Sequence, residues 1–296
     1  MRTCTITAYP ITKENTHIMK FTKMHGCGND YVYVNCFPGA EHVPNPEKLS
    51  PIISDRHKGI GADGLILILP CENADAFMQL YNADGSSDTM CGNGIRCVAK
   101  YVYDHGLVPK DRRTLKIDTP VGMHEISITV QDGKVTSATV DMGIGSVNSE
   151  LPENITVHNT HLKFVGINIG NDHAVYFLDE NPAIADIHSW PDSKFASEGD
   201  YFERHSRFPN RINSEFIEVV SRKEINMRVY ERGSGETMAC GTGSTASAFA
   251  GYVTGRLDNE VTVHLRGGDL VIRIDENNRC FMTGPAVEVF NGEYTL

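Results

Sequence analysis

The chain has 296 residues, 40% of them hydrophobic and 22% charged. That is enough for one large domain or two of ordinary size, with a core that needs no disulfide or metal to hold it. A net charge of -11 without clustered Lys and Arg excludes a nucleic-acid surface, and no apolar run approaches the roughly 20 residues of a membrane span.

Residues 1–18 are polar and precede a second Met, Met19, which leads into the patterned KFTKMHG; they are read as an extension outside the core fold. Strands are then predicted, with turn residues between them, at 30–37, 65–69, 76–82, 115–119, 124–130, 136–142, 161–170, 174–178, 215–221, 225–231, 260–265 and 270–275. GIGADG at 59–64 has the GxGxxG spacing of a dinucleotide fingerprint. That motif needs a strand before it and a helix after it, whereas here polar SDRHK precedes and the strand LILIL follows, so the glycines read as a turn. Two helices are expected, from Gly92 and from Gly241. Each carries small or apolar residues on more than one face and reaches a Gly suited to a C-cap, so each is predicted to be buried at the centre of its strands.

The two halves repeat one another. TMCGNGIR at 89–96 and TMACGTGS at 237–244 each place a cysteine directly before Gly-x-Gly; Tyr81 precedes Cys91 by ten residues, as Tyr230 precedes Cys240. GND occurs before YVYV and again before HAVYF. A period near half the chain implies a duplicated domain rather than a solenoid. The fold class expected is α+β, as two pseudo-symmetric domains, each a strand-rich mixed barrel around a central helix.

A cysteine at a helix start meets unpaired NH groups and the positive end of the helix dipole, both of which favour thiolate. Glycines after it leave NH groups open to a carboxylate. Two such sites facing each other supply a base on one face of a carbon and an acid on the other, which is what inversion of a C–H centre requires. Eight cysteines in a chain with no export signal read as reduced thiols. With no CxxC or HxxxH, no metal site is expected.

FTKMHGCGNDY, RHKGIGADG, YNADGSSDTMCGNGIRC, GNDHAVYF, FPNRINSEF, YERGSGETMACGTGSTAS and MTGPAVEVF occur in that order. The chain from about Met19 onward thereby resembles the diaminopimelate epimerase family. The resemblance implies a first domain over 19–138, completed by 282–296, and a second over 139–281. It implies Cys91 and Cys240 as the acid/base pair, with the NH groups of Gly92, Asn93, Gly241 and Thr242 as a cradle for the reacting carboxylate. Asn29, Asn82, Asn171, Asn213 and Arg232 would hold the substrate, chiefly its distal end. Glu231 and His173 would hold the ammonium group or assist the thiols. No cofactor is implied; the partners implied are a small-molecule substrate and a second copy of the chain, in the cytoplasm, with neither nucleic acid nor membrane. Related racemases acting on lanthionine, proline or histidine, and a non-catalytic ligand-binding member of the fold, are the alternatives. Three positions depart from the family pattern: Asp172 stands where Pro is usual, Gly64 where some members have Gln, and Cys27 where Leu is common.

Overall fold

The structure, a computed structural model, describes residues 18–296. The extension expected at 1–18 therefore lies outside the described residues except for Ile18, which already pairs with Thr295 in a strand. In the first half run β1 (Ile18–Gly26), β2 (Asn29–Asn35), α1 (Pro46–Ser54), β3 (Gly64–Leu69), β4 (Ala76–Asn82), β5 (Ser87–Asp88), α2 (Gly92–Asp104), β6 (Thr114–Thr119), β7 (Gly122–Gln131) and β8 (Lys134–Ile144). The short β9 (Ser146–Val147) and β10 (Glu153–Val157) lead into β11 (Thr160–Asn168) and β12 (Asp172–Phe177). Then follow α3 (Asp192–Glu203), β13 (Asn213–Ser221), β14 (Glu224–Glu231), β15 (Gly235–Glu236), α4 (Gly241–Val253), β16 (Glu260–Leu265), β17 (Gly268–Ile274), β18 (Arg279–Pro285) and β19 (Val287–Thr295).

The pairing pattern repeats strand for strand. In the first half β1–β2 is antiparallel, β2–β3 parallel, β3–β4 antiparallel, β4–β6 parallel, and β6–β7–β8 antiparallel. The second half runs through the same sequence of senses from β11 to β18. β8 and β18 pair antiparallel and join the halves. Each half then lends a tail to the other: β9, after β8, pairs with β11, and β19, after β18, pairs with β1. The boundaries expected at 138/139 and 281/282 fall inside β8 and β18, strands that the structure keeps whole.

Inside each curl of strands lies one helix. α2 is buried from Asn93 to Tyr103, and α4 from Gly243 to Gly251. Ser244 and Thr245 survive there by returning their hydroxyls to the Cys240 and Gly241 carbonyls at 2.8 and 2.9 Å, which satisfies polar groups in an otherwise apolar site. A second core of Phe164, Tyr176, Phe195, Phe202 and Phe216 lies between α3 and strands of the second half. α1 and α3 are not anticipated by the pattern of apolar residues: α1 follows a left-handed Asn45 and contains Pro51, and α3 buries only Phe195, Gly199, Phe202 and Glu203.

Candidate active site

Cys91 and Cys240 are the N-cap residues of α2 and α4. Both have extended backbones, and each Sγ accepts from the NH three residues on, Gly94 and Gly243 respectively, at 3.3 Å. The sulfur thus takes the place of the usual capping oxygen. The two helix starts converge on one side chain: a Cβ at Gly92 would stand 2.9 Å from Met282 Cε, and one at Gly241 2.9 Å from Met282 Sδ. Asn93 also spans the halves, donating from Nδ2 to the Ala239 carbonyl at 3.2 Å. The structure therefore brings Cys91, Gly92, Asn93, Cys240, Gly241 and Thr242 together. Thr242 Oγ1 lies 3.5 Å from Cys240 Sγ.

On the first side, Cys91 Sγ donates to Asn29 Oδ1 at 3.3 Å and receives the Tyr31 hydroxyl at 3.7 Å. Asn29 is delivered by a two-residue hairpin whose central residues, Cys27 and Gly28, both have positive φ, 52° and 80°. That is the backbone of a type I′ turn, so Cys27 occupies a position that favours Gly or Asn. Asp63 accepts the Asn29 amide at 2.8 Å and fixes its orientation. Asn82, at the end of β4, is held by Ser86 at 3.1 Å. At Gly64 a Cβ would stand 2.2 Å from the Tyr81 carbonyl, so this backbone excludes any side chain there.

Matching Tyr81 to Tyr230 through the strand registers makes Tyr31 equivalent to His173, Ile66 to Glu215 and Asn82 to Glu231. The glycines agree: a Cβ at Gly94 would meet Ile66 Cδ1 at 2.8 Å, and one at Gly243 would meet Glu215 Oε1 at 2.7 Å. The Tyr, Ile and Asn at these places in the first half are thus replaced by His, Glu and Glu around the second thiol. His173 Nδ1 lies 2.6 Å from Glu215 Oε1 with both side chains fully buried, and His173 Nε2 lies 3.0 Å from Asn171 Oδ1. The second carboxylate oxygen of Glu215 has no partner. Thr237 donates its hydroxyl to Glu231, whose carboxyl is nevertheless raised above the usual range by burial. Burial also raises both thiols. For Cys91 the Gly94 NH, Tyr31, Asn93 and Arg96 pull back against it; for Cys240 the neighbouring Glu231 and Glu215 add to it and drive that thiol well above its ordinary value.

Farther out, Asn213 donates to the Asp172 carbonyl and accepts from the Arg232 NH, each at 3.0 Å. This fixes the backbone from which the exposed Arg232 side chain extends. Asp172 turns away from the thiols. Its Oδ1 accepts from Asn148 and Asn168 at 2.8 and 2.6 Å, at the edge of a cavity of about 230 Å³ that also touches Arg207 and Arg211. Where the family pattern has Pro to stiffen this loop, Asp172 does so through two amide clamps. Asp172→Ala is expected to free the loop that carries Asn171, raising KM roughly threefold to tenfold while kcat stays within about twofold; steady-state kinetics on the variant check it.

Tyr31, Glu215, Thr237 and Arg96 belong to this site and were not among the residues picked out from the sequence. Glu215 had a signal: an acidic residue inside the apolar strand NSEFIEVV, opposite an isoleucine in the repeat. Arg96 lies in TMCGNGIR, where its burial could not be read.

A duplicated α+β fold whose two central helices start side by side, each capped by a thiol, defines a class of proteins with paired cysteines at a pseudo-twofold seam. Solved structures share the fold at low identity. A hydroxyproline epimerase from Agrobacterium vitis superposes with a TM-score of 0.67 at 16% identity, covering 94% of this chain and 93% of its own. A PhzF-family phenazine biosynthesis protein from Bacillus anthracis superposes with 0.69 at 17%, covering 95% and 100%. The sequence profile of the family named diaminopimelate epimerase matches residues 21–147 and 165–289. Proteins named diaminopimelate epimerase from Agathobacter rectalis and Acetivibrio thermocellus are 48% and 45% identical over 94% of this chain and 100% and 99% of their own. The chain belongs to the diaminopimelate epimerase family.

Proposed function

We propose that the protein is a cofactor-independent isomerase that interconverts LL- and meso-2,6-diaminopimelate, a step of lysine and peptidoglycan precursor synthesis. The observation that carries this reading is the pair of thiols capping two helices that meet over Met282, since it offers one acid and one base to a single carbon. One thiolate takes the α-proton, the electron pair spreads into the substrate carboxylate, and the opposite thiol returns a proton to the other face. The NH groups of Gly92, Asn93, Gly241 and Thr242 stabilise that carboxylate as its charge grows. Glu231 and His173 serve Cys240 and the reacting ammonium group. Asn29, Asn82, Asn171 and Asn213 hold polar ends of the substrate, and Arg232, an exposed guanidinium, takes the distal carboxylate in a two-pronged contact. Supporting this last role, its side chain has no carboxylate partner among the described residues.

The chain works as two halves, residues 19–138 with 282–296 and residues 139–281, and as a homodimer in the cytoplasm. No described helix is long and apolar enough to cross a membrane. Incubating purified protein with LL-diaminopimelate, lanthionine and histidine side by side tests the substrate. Formation of meso-diaminopimelate is the expected result. Inversion of lanthionine or histidine with diaminopimelate unchanged would overturn the assignment.

A further inference from the structure

Five residues after each reacting cysteine the two central helices differ: α2 has Arg96, α4 has Thr245. Arg96 is fully buried, and it is the largest such side chain in the described molecule. Its guanidinium donates to Asn93 Oδ1 at 2.8 Å, the Gly92 carbonyl at 3.2 Å and the Pro285 carbonyl at 3.3 Å, and touches Met282 Sδ and Cys27 Sγ at 3.7 and 3.9 Å. None of these partners is a carboxylate. A Cβ at Gly26 would approach Nη2 to 2.9 Å, and one at Gly284 would approach Cζ to 3.0 Å, so the strands on either side make room for the group.

A guanidinium stays charged at any pH the fold survives, and burying one without an anion is costly. Two of its partners, Gly92 and Asn93, are the residues directly after Cys91, so its charge stands behind that thiol and behind the NH groups offered to a substrate carboxylate. We propose that Arg96 is a positioning residue: a fixed buried cation that eases ionisation of the Cys91 thiol and, through Asn93, aligns the NH cradle shared by both halves. The groups facing Cys91 otherwise lack a formal positive charge: Tyr31 and Tyr33 from β2, Ile66 from β3, Cys97 from α2, and Asp63 behind Asn29. Around Cys240 the arrangement is reversed, with Glu215, Glu231 and His173 in place of a buried arginine, so Cys240 is the harder of the two thiols to ionise. The second anionic candidate near Arg96 is Cys27, buried at the hairpin turn with its thiol raised by burial and lowered in part by the guanidinium.

The inference rests on Cys91 being a reacting thiol, but its test needs no substrate. The full chain, ligand-free, is alkylated with iodoacetamide across about pH 5 to 10, and each cysteine is followed by peptide mass. The plateau rate reports access and the midpoint reports charge. In the unsubstituted protein Cys91 should titrate below Cys240. Arg96→Met should slow Cys91 alkylation about tenfold at each pH below its midpoint while Cys36 and Cys240 react as slowly as before, and Arg96→Lys should restore most of the rate. Arg96→Gln, which keeps a donor for the Gly92 and Pro285 carbonyls, carries the same expectation should the methionine variant fail to fold. A Cys91 rate below its midpoint that is unchanged in the folded neutral variants, or that falls together with the rates of Cys36 and Cys240, overturns the inference. Because the readout is independent of turnover, loss of diaminopimelate activity alone leaves it standing, and its failure leaves the substrate assignment untouched.

Discussion

Replacing either thiol, as Cys91→Ala or Cys240→Ala, is expected to lower interconversion of diaminopimelate stereoisomers by about 10⁴-fold or more with far-ultraviolet dichroism unchanged. The loss should have a stereochemical signature. In deuterated water each variant retains one thiol on one face, so it should wash the α-proton out of one stereoisomer and leave the other unlabelled, without inverting either. The two variants should show opposite preferences, whereas the unsubstituted protein labels product during turnover. Near-normal inversion by either variant, or exchange of the same stereoisomer by both, would end the two-base scheme. Alanine is tolerated structurally because the cap costs only about 1 kcal/mol and the helix behind it is buried on all sides.

Glu215 should show the next largest effect. Glu215→Ala removes the partner of a fully buried histidine and opens space beside Gly243. Losing one member of such a pair costs about 3 kcal/mol, which for a protein of this size lowers Tm by roughly 6 to 10 °C. Turnover should fall about 100-fold, because His173 and Cys240 both lose a fixed neighbour. Glu215→Gln keeps the shape and one acceptor for Nδ1, and most of the stability should return. A melting temperature for Glu215→Ala within 1 °C or so of the unsubstituted protein would show that the pair contributes nothing.

Twelve of the nineteen described strands were legible because alternation and turn residues mark them, whereas β1, β5, β9, β10, β15, β18 and β19 were not predicted. Those predicted at 76–82 and 260–265 match β4 and β16, and most others differ by one or two residues at the ends. The central helices were legible for a different reason: a cysteine before Gly-x-Gly is a helix start with a chemical purpose. Three features were hidden. α3 turns so few apolar residues inward that its sequence, DSKFASEGDYFE, looks like a solvated loop. Glu215 is paired by a histidine 42 positions away, and the site of Arg96 is made by strands from both ends of the chain, so neither environment has a local trace. The polarity between the two thiols, a cation behind one and carboxylates behind the other, needed three dimensions to be seen.

The reciprocal tails have a consequence for biogenesis. Among the described strands β1 is made first and its partner β19 last, with Lys20 opposite Glu293 and Phe21 opposite Gly292. Closing so long a loop is slow, and an unpaired strand edge is a template for the wrong neighbour. At about 5–20 residues per second, the first half spends many seconds on the ribosome with that edge open. The halves are therefore not a finished domain followed by a second one: the earlier must wait for the later to hand back its last strand, and the nascent chain is most exposed to mispairing during that wait.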